Sequence, residues 1–235
     1  MLHPFFSYFG SKYRLAKYYS KPQYNEIVEP FAGSAGYSLL YPEKNIFLYE
    51  INESIVELWN YLINVSKEEI LSLPLGPFDK NHPVESEVSS SAARILLGFW
   101  LTESQTSSSR YPLSKSRGGN WTDRKRQMIA SQLEYIRHWK IEKCSFDQIP
   151  NRRATWMIDP PYEKAGSRYK YSKINYSVLG KWCKEREGQV IVCEQNEAKW
   201  LNFKCLKTDR KCIRNASNKD YKELVWHRWV RRFKL

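Results

Sequence analysis

The chain reads as an α/β protein built on a parallel, helix-covered sheet. Short apolar runs bounded by charge or turn residues recur along it, and helical stretches lie among them. Its 235 residues can bury a full core, which suits one α/β domain carrying an insertion. There is no internal repeat.

Asn25 to Glu29 reads as the first strand, running into Pro30-Phe31-Ala32-Gly33-Ser34-Ala35-Gly36. Ser38 to Leu40 can start a helix, and Asn45 to Glu50 reads as the second strand. Ser54 to Ile63 is a helix, because Ile55, Leu58, Trp59 and Leu62 recur at spacings of three and four. Leu71 to Ser91 is loop-like, rich in proline, glycine and serine. Ala92 to Leu101 can form a buried helix; Thr102 to Thr122 is polar, Ser-rich and basic; Asp123 to Trp139 resumes as an amphipathic helix. Three apolar runs follow, Ile141 to Phe146, Thr155 to Ile158 and Val190 to Cys193. The change of character marks residues 66–138 as an insertion in a sheet domain made by 1–65 and 139–235.

Charge narrows the partners. Lys plus Arg outnumber Asp plus Glu by 38 to 25, a formal net charge of +13, above the magnitude of about 2–8 usual for a small domain. Such an excess favours a polyanion, most simply nucleic acid. Aromatics make up 15% of the chain, so some are available to stack on bases. Met1 to Phe6 lacks the basic and apolar regions of a signal peptide, and no apolar run approaches a membrane span. The five cysteines form no C-x-x-C pair and leave one over, so reduced thiols and a cytoplasmic setting are expected. His3, His82, His138 and His227 are scattered without metal-ligand spacing, and there is no P-loop.

Ala154 to Ile158 ends in Asp159-Pro160-Pro161-Tyr162. Adjacent prolines forbid helix and central strand and hold the backbone extended. A rigid, acceptor-rich loop with a ring beside it suits a planar substrate bearing an exocyclic amine, such as adenine or cytosine. Alone, the tetrapeptide also describes an ordinary loop after a strand. Glu29 to Gly36 lies where a Gly-rich turn brings backbone close to a bound cofactor, and Glu50, 21 residues on, ends the next strand, where an acid can hold ribose hydroxyls. The turn has no basic residue to meet a diphosphate. A nucleoside cofactor without one fits better, and S-adenosylmethionine meets that description. Alone, Gly33 and Gly36 equally serve close packing.

Taken together, Phe6-Ser7-Tyr8-Phe9-Gly10-Ser11-Lys12, Glu29-Pro30-Phe31-Ala32-Gly33, Glu50 and Asp159-Pro160-Pro161-Tyr162 resemble the Dam-type adenine-N6 DNA methyltransferases, in the order called the alpha arrangement. Val190 to Glu194 with Trp200 to Phe203 is similar to the short phage and prophage members. The resemblance implies a Rossmann-like S-adenosylmethionine-dependent methyltransferase fold, with 66–138 as the target-recognition region. It implies catalysis by Asp159, Pro160, Pro161 and Tyr162. It places the cofactor's methionine end near Tyr8, Gly10 and Lys12, over Phe31 and Gly33, and its adenine near Ser145, Phe146 and Asp147. Glu29, Ser34, Glu50, Ile51 and Asp159 complete the expected cofactor set. One departure stands out: the family usually spells the turn Phe-x-Gly-x-Gly, whereas here Ala35 follows Ser34 and the second glycine is Gly36.

The chemistry follows from the residues. Adenine's amine is a poor nucleophile because its lone pair is delocalised into the ring. Asp159 and the Pro160 carbonyl can accept its N–H bonds and aim the lone pair at a methyl donor. Tyr162 would stack on a base taken out of the duplex. Arg110, Lys115, Arg117, Arg124, Lys125 and Arg126 crowd the insertion and suit duplex tracking. Lys164, Arg168, Lys170 and Lys173 alternate with Tyr169 and Tyr171 and suit a flipped nucleotide's phosphates. Double-stranded DNA is the expected partner, bound by a monomer or weak dimer. Cytosine-N4 methylation, an RNA substrate and a non-catalytic DNA-binding relative remain alternatives. Cytosine-C5 chemistry does not, because no proline precedes a cysteine.

Overall fold

In the computed structural model the described residues are 1–102, 105–112, 121–164, 166–195, 197–208, 213–214 and 220–228. Seven strands form one sheet: β1 (Glu26–Glu29), β2 (Asn45–Glu50), β3 (Lys140–Lys143), β4 (Ala154–Ile158), β5 (Gly188–Gln195), β6 (Lys204–Cys205) and, last in the chain, β9 (Glu223–Arg228). Two short strands between the last pair, β7 (Ile213–Arg214) and β8 (Asp220–Tyr221), pair only with each other among the described residues. The sheet order is β3-β2-β1-β4-β5-β9-β6. The first five strands are mutually parallel, and β9 runs antiparallel between β5 and β6. The chain is therefore α/β with a mostly parallel sheet, compatible with a Rossmann-like fold.

Period-two alternation sends each strand's side chains to two different cores. Ile27, Ile46, Leu48, Met157, Ile191 and Cys193 join one, while Val28, Tyr49, Trp156, Ile158, Val190 and Val192 join the other. Every residue of β4 is buried, as a strand covered on both faces requires. Helix α1 (Glu53–Asn64) covers the first face with Ile55, Leu58, Trp59 and Leu62, the side chains expected from their spacing. Asn52 caps it by accepting from the Ser54 N–H at 3.2 Å. Helix α6 (Tyr176–Glu185) covers the second face with Leu179, Trp182 and Cys183, and Asn175 caps it.

Residues 66–138 supply α2 (Lys67–Ser72), α3 (Val84–Glu87), α4 (Ser91–Thr102) and α5 (Asp123–Gln132). These do not build a core of their own. Leu96, Phe99, Trp100, Ile129 and Leu133 belong to the same cluster as Phe5, Phe6, Trp59 and Leu48 of the sheet domain. Two expected helices are shorter than their patterns. Ser38–Leu40 is a single 3₁₀ turn, because Pro42 keeps the residue before it out of helical geometry. Helix α5 ends at Gln132 and tightens into a 3₁₀ turn over Leu133–Ile136. Among the described residues no helix is long and apolar enough to cross a membrane.

Candidate active site

A cavity of about 720 Å³ opens at the carboxyl ends of β1, β2 and β4. The strand order reverses between β1 and β4, and crevices at such switch points are where open α/β sheets take ligands. The expected residues Tyr8, Gly10, Lys12, Glu29, Phe31, Gly33, Ser34, Glu50, Ile51, Ser145, Phe146 and Asp159 all lie on its wall, as does Pro161. Pro160 and Tyr162 do not.

The turn after β1 is held from several sides. The Gly33 N–H donates to Glu50 Oε2 at 3.1 Å, and the Ile51 and Asn52 N–H groups donate to Oε1 at 2.9 and 3.0 Å. Trp59 Nε1 donates to the Gly33 carbonyl at 2.8 Å, and the Ser34 hydroxyl to Ser11 Oγ at 2.8 Å. Glu29 is 3% exposed, and its Oε1 accepts from the Ser38 N–H at 2.9 Å and the Ser38 hydroxyl at 2.5 Å. Burial pushes the Glu29 carboxyl up to about 7 against the pull of those bonds. Burial likewise raises Glu50.

The two glycines of the turn serve different ends. Gly33 takes φ +44°, and a Cβ there would come within 3.1 Å of the Tyr8 ring. A Cβ on Gly36 would lie 2.6 Å from the Tyr13 nitrogen and 3.0 Å from that of Lys12. Gly36 therefore lets the Gly10–Tyr13 segment close against the turn. Ala35, which stands where the resembled family has its second glycine, is in the left-handed region at φ 51°.

Asp159 directly follows β4 and lies beside Lys12, with Nζ 2.9 Å from Oδ1. The Lys12 ammonium also donates to the Gly10 carbonyl at 2.9 Å and lies 4.6 Å from the centre of the Tyr162 ring. Asp159 Oδ1 is buried and has no well-directed hydrogen bond among the described residues. Burial raises the Asp159 carboxyl, and the Lys12 charge opposes it. For Lys12 burial acts downward, but the Asp159 and Glu223 carboxylates outweigh it and the ammonium is held well above its ordinary range. Tyr162 donates to Glu223 Oε1 at 2.7 Å, and Tyr176 donates to the Pro161 carbonyl at 2.6 Å. The ring expected to receive a base thus carries a cation over one face.

Phe31 and Phe146 pair at the far end, 5.7 Å between ring centres and 31° apart in plane, with Ser145, Asp147 and Cys144 near them. Opposite, residues 169–175 form the rim. Tyr169 donates to the Phe9 carbonyl at 3.0 Å, and its hydroxyl occupies the space a Cβ on Gly10 would need. Tyr169, Ser11 and Asn52 are wall residues not expected there; only the Lys-Tyr alternation around Tyr169 hinted at one of them.

The basic residues separate into groups. Lys164, Arg168, Lys170 and Arg124 are exposed. Arg168 lies over Phe9, 5.3 Å from ring centre to guanidinium, and its carbonyl accepts from the Thr106 hydroxyl at 2.9 Å, joining the rim to the insertion. Arg110 pairs with Glu85 while staying exposed. Arg126 is structural instead: Nη2 pairs with Asp123 at 2.6 Å and Nη1 donates to the Leu73 carbonyl at 2.8 Å, because α5 begins against the end of α2. Lys125 lies over the Trp100 ring at 4.4 Å. Lys115 and Arg117 fall outside the described residues. No group of His, Cys, Asp and Glu among the described residues could hold a metal ion.

Fold and cavity together define an α/β protein with a ligand-sized site at the sheet's switch point. No family model and no curated protein matches the chain. Among solved structures it is similar to a conserved hypothetical protein of Streptococcus pyogenes at 10% identity, over 91% of this chain and 91% of the other, with a TM-score of 0.34. A likeness at that level carries no argument about function.

Proposed function

We propose that the protein is an S-adenosylmethionine-dependent DNA methyltransferase acting on the N6 amine of a flipped-out adenine. The observation that carries the reading is Asp159, a carboxylate on the wall of a switch-point cavity that keeps 21% of its side chain exposed while Oδ1 pairs with Lys12 at 2.9 Å. A carboxylate has acceptor capacity beyond one ammonium, and an aromatic amine supplies N–H donors.

The wall fits the cofactor's parts. Glu50 Oε2 accepts one backbone bond, which leaves room for a ribose hydroxyl. Phe31 and Phe146 offer faces for an adenine, and Asp147 stands beside them. S-adenosylmethionine, when bound, supplies an electrophilic methyl group. Asp159 accepts from the target amine and keeps its lone pair directed into the cavity. Burial raises the Asp159 carboxyl, and the Lys12 ammonium 2.9 Å away favours its charged form. For a base to stack on Tyr162, Lys12 must give way from the ring face it covers. Lys170 and Lys173 on the rim, with Arg168 beside them, meet the phosphates.

The test is to incubate the protein with isotope-labelled S-adenosylmethionine and unmethylated DNA, digest to nucleosides and identify the labelled product by mass spectrometry. Label on N6-methyladenine is expected. Label on N4-methylcytosine would keep the acceptor chemistry and replace the substrate; no label together with no cofactor binding would overturn the reading.

A further inference from the structure

Behind the Asp-Pro-Pro-Tyr loop lies a second carboxylate. Glu223 on β9 is 2% exposed. Its Oε1 accepts from the Tyr162 and Tyr19 hydroxyls, each at 2.7 Å. A buried carboxylate is costly unless donors and a counter-charge meet it. The two phenols are the donors. The counter-charge is Lys12, which it shares with Asp159. The titratable groups around Glu223 are Lys12 and Tyr19 from the N-terminal segment, Asp159 and Tyr162 from the loop after β4, and Cys193 from β5.

The prolines fix the backbone before Tyr162, but they do not fix its ring. A phenol donating to a carboxylate makes a charge-assisted bond, stronger than a neutral one. It holds the far end of the ring while Lys12 lies over one face. Through the same oxygen, Tyr19 joins the segment that carries Lys12 to the loop that carries Tyr162.

We infer that Glu223 is a positioning residue, holding the Tyr162 ring in the orientation the methyl-transfer site requires. The inference rests on the proposed reaction for what the ring does, but not for where the ring is held. A plain structural staple would use the same bonds and would be indifferent to which tyrosine is cut.

The experiment compares Glu223→Ala, Glu223→Gln, Tyr162→Phe, Tyr19→Phe and the double variant Glu223→Ala/Tyr162→Phe. It measures single-turnover methyl transfer, cofactor affinity and the NMR signals of ¹³C-ring-labelled tyrosine. Glu223→Ala and Tyr162→Phe should each slow transfer with cofactor affinity unchanged; about 10²-fold is the scale for a misplacement of about 1 Å. The double variant should lose no more rate than the worse single one, since both cut the Tyr162–Glu223 bond and the Tyr19 bond that Glu223→Ala also cuts is expected to serve stability alone. Glu223→Gln keeps the acceptor and should recover most of the rate, whereas Tyr19→Phe should cost stability and not rate. Multiplying losses, or a glutamine no faster than Tyr162→Phe, would overturn the inference. Should Glu223→Ala not fold, the Gln and Phe variants carry that comparison alone. Should the wild type transfer no methyl group, the reaction falls and the ring signals decide. A Tyr162 signal moved by Glu223→Gln or Glu223→Ala but not by Tyr19→Phe supports positioning, and an unmoved one refutes it.

Discussion

Replacing Glu29 with glutamine isolates what the turn after β1 costs the protein. The Glu29 carboxyl is 3% exposed and burial raises it from 4.5 to about 7, the Ser38 bonds opposing and the Asp159 charge adding to the rise. The folded chain therefore holds this proton more tightly than the unfolded chain. The stability it contributes is complete below pH 4.5 and is lost as pH rises through about 7. At about 1.4 kcal/mol per pH unit, that interval corresponds to roughly 3 kcal/mol. Glutamine keeps an oxygen for the Ser38 N–H and hydroxyl but does not ionise. Its stability relative to wild type should therefore improve by about 2–3 kcal/mol between pH 4.5 and 8. Any pH-independent offset from the substitution cancels in that difference. Urea unfolding at several pH values measures it by linear extrapolation. A difference that stays constant to within about 0.5 kcal/mol, near the error of such comparisons, would show that Glu29 titrates like an exposed carboxyl and that water reaches the turn.

Asp159→Ala should lower methyl transfer by about 10²–10³, the scale for removing one transition-state acceptor, with DNA binding largely kept in a gel-shift assay. Near-wild-type turnover would remove Asp159 from the chemistry. Gly36→Ala drives a Cβ to 2.6 Å from the Tyr13 nitrogen and should destabilise by about 1–3 kcal/mol, read as a lower denaturation midpoint. Arg168→Ala with Lys170→Ala should weaken DNA binding and flatten its salt dependence by about two units of log–log slope, with cofactor affinity unchanged in calorimetry. Phe146→Ala removes one ring of the pair with Phe31 and should weaken cofactor binding by about 1 kcal/mol or more; unchanged affinity would move the adenine elsewhere in the cavity.

The parallel sheet was legible because each strand announces itself locally. Thr155 to Ile158 and Val190 to Cys193 are unbroken apolar runs, which a strand buried on both faces requires. The cavity wall was legible for a related reason: strand ends and the turns after them determine it, and Glu29, Glu50 and Asp159 each close a strand or follow one directly. Glu223 was not legible. Its role depends on β9 reversing direction and pairing with β5 so that Glu223 stands beside Gln195, and no local pattern encodes that register. The partners of the insertion's basic side chains were not legible either. Arg126 and Lys125 look like a basic face beside Arg124, yet an acid one turn earlier, a carbonyl on α2 and the Trp100 ring engage them.

Ala35 and Gly36 tie these levels together. Ala35 holds a left-handed φ of 51° where a glycine would be unstrained, a cost of about 1 kcal/mol for a residue with a Cβ. Gly36 shows what constrains the next position. The backbone of Lys12 and Tyr13 approaches so closely that no side chain fits. That approach sets Lys12 against Asp159 and over the Tyr162 ring. A glycine at 35 would relax one dihedral, whereas a side chain at 36 would push away the segment that carries Lys12. The room kept free at Gly36 and the Lys12–Asp159 pair therefore depend on the same stretch of backbone.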